Sequence, residues 1–431
     1  MSPPTVGGEE SHELFWAELR KMPSMAYPIF DLDIAKPLPQ ISLSDEDTGV
    51  AILLRREGRP INFFMEPLPA DREMKLKELD DRIREKAKAD SLTERRRADQ
   101  RTSDSQSPFP SLTIAICTKD RPSFLARCLE FLGRNISQSS SLPNSIEILV
   151  VDNAPSDTRN LDVVSSFSGV RYVCEPLAGL NFARNRALNE ASGQLLAYLD
   201  DDVVVDYGWL SGLREAWSHN PTAAAFTGLV LPYELVTEAQ IMFEQRGGWR
   251  RGFDRIRYTT TLPGHSLYPA VPAIMGTGAN MAFQRDILRK LGGFDEALDT
   301  GAPLPGGGDL DIFYRVIRGG YSLQYEPAFL VFHQHRRELT ALRDQYWSWG
   351  ISFMAFVSKS FRTDPVYRSK LIRVVVWWFA KELWQLQKSL LGRHPLPPKM
   401  ILAELLGGIM GVLGGYARSK RHVEKLQARN V

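Results

Sequence analysis

Between residues 112 and 200 short apolar runs alternate with amphipathic stretches: LTIAIC at 112–117, IEILVV at 146–151, VRYV at 170–173 and LLAYL at 195–199. Each is too short for a buried helix and ends abruptly at polar residues, so each reads as a buried strand. Pro122 suits the first turn of a helix, and FARNRALNEAS has helical character. This alternation predicts an α/β fold, a mostly parallel sheet with helices on both faces. A later run, AFLVF at 328–332, predicts a further strand.

The flanks carry other patterns. Residues 1–70 are punctuated by proline, and their clearest piece, VAILLRREGRPINFFME, predicts a β-hairpin turning at Glu57 and Gly58. Residues 74–98 predict a charged helix with Leu76, Leu79, Ile83 and Ala87 on one side, and RTSDSQSPFP reads as a linker. The expected organisation is a small α+β appendage at 1–100, a linker at 101–110, the main domain at 111–350 and a helical region at 351–431.

In that last region KLIRVVVWWFAKELWQLQKSLL interleaves tryptophans with basic residues, and 405–417 is an uncharged apolar stretch of thirteen residues. A helix needs about 20 residues to cross a bilayer core of about 30 Å, so peripheral contact with a membrane surface is the expectation. The alternatives are a helical pair docked on the main domain or a dimer interface. Gly407, Gly411 and Gly415 share a helix face that permits close packing.

Charge sharpens this picture. The chain totals +2, yet 366–431 holds twelve Lys or Arg against three Glu, leaving an acidic body with a basic tail. Arg95–Arg97 lack aromatic interleaving, so they predict a solvated helix face and no nucleic-acid partner. Three cysteines without ligand spacing predict neither a disulfide framework nor a zinc site, and the N-terminus lacks a signal-peptide pattern. A cytoplasmic protein at the inner face of a membrane is expected.

The candidate chemistry lies at the strand ends. Asp200, Asp201 and Asp202 repel one another unless a cation sits among them, and hard oxygen ligands suit Mg2+ or Mn2+. An acidic turn capping the next helix is the alternative. Thr118, Lys119, Asp120 and Arg121 follow the first strand, and Asp152 and Asn153 the second, so polar groups line one rim. Such a rim suits a nucleotide: Asp152 can accept from a base N–H, Asp200 from ribose hydroxyls, and Arg184 can face phosphate. TKDRPS matches neither the dinucleotide fingerprint nor the P-loop, which excludes those dehydrogenases and ATPases.

The ordered set TKDRP, VVDNAPSD, GLNFARNRAL, LDDD, GTGANMAFQRD, LGGFDE, GGGDLDIFYRVIRGGY and FHQHRR resembles family 2 glycosyltransferases of the GT-A fold from residue 112 to about 350. The resemblance implies transfer of a sugar, with inversion, from a nucleotide-diphosphate donor to a hydroxyl of a glycan or lipid-linked acceptor. It assigns the nucleotide to Asp152, Arg184 and Asp200, with Thr118, Asp120 and Arg121 of the same rim beside them, and leaves Asp201 to the nucleotide, to the metal or to neither. It assigns the metal to Asp202 and to one histidine of FHQHRR, His333 being preferred and His335 reading as local packing. It makes Asp309 the catalytic base, although Gly308 stands where the family commonly has Glu; a helix cap is the alternative for Asp309. Asn280 is placed near donor sugar or acceptor, Phe294 and Asp295 at the border of the acceptor pocket with a plain core aromatic as the alternative for Phe294, and Asp311 as a structural residue or an acceptor contact; the Gly/Pro-rich loop at 303–308 is expected to close over donor. A sugar nucleotidyltransferase and a non-catalytic subunit of glycan assembly are the competing readings.

Overall fold

The structure, a computed structural model, describes residues 27–37, 41–68, 81–86, 108–138, 146–301 and 303–429. The N-terminal stretch to residue 26, most of the linker, and the charged helix apart from 81–86 lie outside the described residues. The four apolar runs form β4 (Leu112–Thr118), β5 (Ile146–Asn153), β6 (Val170–Glu175) and β7 (Leu195–Asp200). β4 pairs in parallel with both β5 and β7, and β5 with β6. Side chains alternate across the strands: Ile114 and Ile116 enter one core, Ala115 and Cys117 the other.

The rest of the sheet is mixed. β8 (Val203–Val205), β9 (Ala225–Pro232), β10 (Ile256–Tyr258), β11 (Asn280–Gln284) and β12 (Leu323–His333) complete the order β10-β12-β9-β11-β7-β4-β5-β6, with β8 on β12. β11 runs antiparallel between β7 and β9, whereas β9 and β12 are parallel. One face is covered by α1 (Pro122–Gln138), α2 (Arg159–Ser165) and α4 (Trp209–His219). The other carries α3 (Leu180–Glu190), α6 (Arg285–Lys290) and α7 (Gly308–Arg318). A short helix, α5 (Glu238–Gln245), follows β9 and begins with a capping box between Thr237 and Gln240.

The hairpin is β2 (Gly49–Arg56) against β3 (Arg59–Pro67), and β1 (Ile29–Asp33) joins β2 in parallel. Glu57 and Gly58 both take positive φ, as a tight two-residue hairpin turn requires. This small sheet shares its core with the large one: Tyr27, Ile29, Leu53 and Phe63 pack with Val204, Leu330 and Phe332. At its edge Arg55, 1% exposed, donates to Asp31 Oδ1 at 2.7 Å and to Asp206 Oδ1 at 2.6 Å. It therefore braces β8 and β12, the strands next to the acidic turn.

The C-terminal region is helical: α8 (Leu339–Thr363), α9 (Arg368–Leu390), α10 (Pro398–Met410) and α11 (Tyr416–Arg429). Gly350 and Gly407 allow the backbones of α8 and α10 to touch, leaving no room for a Cβ at either position.

Candidate active site

The parallel strands deliver their polar residues to one edge, and a sharp turn concentrates them there. β7 ends at Asp200, and the chain reverses through Asp201 and Asp202 because β8 must run back along β12. Thr118 Oγ1 donates to Asp201 Oδ2 at 2.7 Å, while Arg121 Nη1 donates to Asp201 Oδ1 at 2.8 Å and Asp202 Oδ2 at 3.2 Å. Burial pushes the Asp201 carboxyl up to about 6, with Arg121 opposing and Asp202 adding to the rise. For Asp202 burial acts in the same sense, but His333 and Arg121 outweigh it and hold that carboxyl below its usual range.

His333 closes the acidic turn from the far strand. Its Nε2 lies 3.3 Å from Asp202 Oδ1, a buried oxygen without a hydrogen-bond partner. Behind it, His333 Nδ1 is 3.1 Å from His335 Nδ1, and His335 Nε2 is 2.9 Å from Glu244 Oε1 on α5. His335 is buried against the Phe243 ring, so it orients His333 and does not reach the rim itself. Among the described residues no group of three or more His, Cys, Asp or Glu could hold a metal alone. The unsatisfied Asp202 oxygen and the facing imidazole nitrogen nevertheless fit Mg2+ or Mn2+, ions that accept one carboxylate and complete their shell with phosphate and water.

A second set of charges sits across the rim. Arg184, 4% exposed on α3, lies 3.1 Å from Asp299 Oδ2 and 3.8 Å from Asp200 Oδ1. Asp200 keeps 31% of its side chain exposed and is thus open to a ligand. Asp309, partly exposed in the first turn of α7, accepts from Gly278 N at 3.0 Å and from Leu310 N at 2.8 Å. It is not the helix cap: the N-cap is Gly307, in the left-handed region. The glycine before Asp309 has a reason, since Asp299 Oδ2 and Asn181 occupy the space a Cβ at 308 would take. Asp299 also accepts from Gly308 N at 2.9 Å, so the loop supplies a carboxylate beside the position where α7 has none. Burial, reinforced by Asp309 and opposed by Arg184, pushes the Asp299 carboxyl up to about 7.

Several expected contacts fall elsewhere. Asp152 is completely buried, with its oxygens taken by Asn160 Nδ2 at 2.9 Å and Tyr172 OH at 3.0 Å, so in this conformation it presents no free face to a base. Asp120 accepts from Ser156 N and Oγ, both at 2.8 Å, clamping the loops after β4 and β5 together. Asn280 lies inside the sheet, where a bulge in β12 between Glu326 and Val331 shifts the strand register. Its amide donates to Phe329 O at 2.6 Å and accepts from Trp209 Nε1 at 3.1 Å. Phe294 is a core ring against Tyr198 and beneath the Arg184 guanidinium. Lys359 on α8 binds both Asp295 (2.8 Å) and Asp311 (2.5 Å), which makes these two acids anchors for the C-terminal helices.

Pattern reading missed Asp299 and Glu244, whose partners are 115 and 91 residues away. A local signal did exist for Asp299: an acid opening the Gly/Pro-rich segment DTGAPLPGGG. Asp120, Ala154 and Asp299 all take left-handed φ in loops around this edge, a strain that folded surroundings must impose.

Residues 113–292 match the family described as Glycosyl transferase family 2. A pre-mycofactocin glycosyltransferase from Mycobacterium tuberculosis is 27% identical over 193 residues, covering 44% of this chain and 38% of the relative. A glucosyl-dolichyl phosphate glucuronosyltransferase from Haloferax volcanii is 24% identical over 155 residues, covering 36% of this chain and 46% of the relative. The chain thus spans less than half the length of either relative. A mannosyltransferase from Pyrobaculum calidifontis, solved with GDP-Man and Mn2+, is 16% identical at a TM-score of 0.43, covering 77% of this chain and 87% of that one.

Proposed function

From the match of residues 113–292 to Glycosyl transferase family 2, we propose that the protein transfers a sugar from a nucleotide-diphosphate donor to an acceptor hydroxyl in glycan assembly, with inversion. The observation that carries this reading is the shared edge of Asp200, Asp202, His333, Arg184 and Asp309, with one Asp202 oxygen left unsatisfied. The Haloferax volcanii relative, named a glucosyl-dolichyl phosphate glucuronosyltransferase, supports a lipid-linked acceptor.

In this mechanism Asp200 accepts from the nucleoside and Arg184 faces the diphosphate, where a guanidinium gives paired donors. Asp202 and His333 would hold Mg2+ or Mn2+, which when bound supplies charge for the departing diphosphate. Arg121, now spanning Asp201 and Asp202, would be freed toward phosphate as those acids take another partner. Asp309 takes the acceptor proton as the acceptor oxygen bonds to the anomeric carbon and the bond to diphosphate breaks. Its bonds from Gly278 N and Leu310 N hold the carboxylate ready for that role.

A panel of nucleotide sugars with Mg2+ or Mn2+, scored for released nucleoside diphosphate, tests the activity. Asp309→Asn should bind nucleotide as the wild type does and lose about 10²–10⁴-fold in turnover, the range of a missing general base. Unchanged turnover with the true acceptor would remove Asp309 from that role.

A further inference from the structure

We propose that the outward faces of α9 and α10 bind the surface of an anionic lipid bilayer, a role independent of the chemistry assigned to the sheet edge. Both helices bury one face: Leu371, Val374 and Trp378 of α9 and Met400 and Ile401 of α10 pack in one core with α8. The opposite faces are apolar too. On α9, Ile372, Val376, Leu383 and Leu390 form one stripe and are 54%, 65%, 58% and 69% exposed. On α10, Leu402, Leu406 and Ile409 form another, 44%, 57% and 43% exposed.

The border of the α9 stripe identifies the partner. Trp377 and Trp384 lie beside it, and the ammonium groups of Lys381 and Lys388 sit over their rings at 5.7 and 3.5 Å. An apolar face edged by tryptophan and then by lysine matches the layers of a bilayer interface, from acyl chain to headgroup phosphate. Arg393, between the two helices, and Lys399, in the first turn of α10, are both exposed and add charge there. A second copy is a poor occupant, because a self-complementary contact would press these cations against their own equivalents.

The geometry favours lying on the bilayer over crossing it. Residues 398–429 are long and apolar enough to span, but half of the apolar window is buried inside the protein. Gly407 and Gly411 abut the α8 backbone, Glu404 pairs with Arg246 at 2.7 Å, and the path breaks at Leu413 and Gly414.

The test is cosedimentation of the full chain with vesicles of phosphatidylcholine alone or mixed with phosphatidylglycerol. Binding should favour the mixed vesicles by about tenfold or more, and salt should release it only in part, because inserted Trp and Leu are not screened. Arg393→Glu/Lys399→Glu should weaken binding by about tenfold or more, at about fivefold for each lost cation. Trp384→Ser/Leu406→Ser should leave binding that salt reverses fully. The exposed positions of both pairs predict wild-type melting. No binding to either vesicle, or equal binding to both, would overturn the proposal. So would a concentration-dependent dimer that ignores vesicles and dissociates in the Trp384→Ser/Leu406→Ser variant.

Discussion

At the scale of single residues, two carboxylates on the rim behave in opposite ways, and each gives a measurable consequence. Asp202 is held ionised by His333 and Arg121 and keeps a buried oxygen unsatisfied. Asp202→Asn should therefore lower affinity for nucleoside diphosphate with Mn2+ by at least about tenfold, as loss of the proposed metal contact would, and lower the melting temperature while the protein stays folded, because the ion pairs to His333 and Arg121 go with the charge. Titration calorimetry reads the first and a thermal melt the second. Asp299 has its pKa raised by burial from 3.8 to about 7. Its folded form therefore holds a proton that the unfolded chain has lost, so its contribution to stability falls as pH rises from about 4 to about 7. Asp299→Asn should flatten the decline in melting temperature between pH 5 and pH 8. A decline of unchanged slope would assign that dependence to other groups.

At the scale of elements, the small N-terminal sheet is a brace for β8 and β12. Its core is continuous with the large sheet, and Arg55 sits between Asp31 and Asp206 with almost no solvent contact. Removing that cation takes the shared guanidinium from two buried carboxylates, a loss that costs about 3–5 kcal/mol. Arg55→Met should show that loss in urea unfolding, and the shift of β8 should weaken nucleotide binding as well. The hairpin itself was legible in its sequence, because strand propensity and the Glu57–Gly58 turn are local. Its docking on β8 was not, since Arg55 and Asp206 are 151 residues apart.

At the scale of the whole molecule, the C-terminal helices are tied into the main domain as well as exposed. Lys359 joins Asp295 to Asp311, Tyr416 OH donates to Asp295 Oδ2 at 2.9 Å, and α10 seals the long helix α8. The docked reading of the apolar tail thus describes the inner face of these helices, and the proposed bilayer contact concerns their outer face. Deleting residues 366–431 should uncover the face of α8 that Trp378 and Met400 protect. The shortened chain should aggregate or melt several degrees lower, readable by light scattering and calorimetry. A monodisperse truncation with unchanged melting would show that the inner face contributes little.

What the sequence determined by itself was whatever depends on neighbours along the chain. Alternating apolar runs specify β4 to β7, the polar residues that follow them mark the sheet edge, and three adjacent aspartates call for a counter-charge there. Tertiary structure decided which oxygens remain available. Asp152 loses its free face to Asn160 and Tyr172, Asn280 is drawn inside by a bulge in β12, and Asp299 fills the space beside Gly308. The physical reason is that availability depends on which distant groups share the same dry volume. A carboxylate's burial and pairing are set by that volume, and a one-dimensional pattern carries neither.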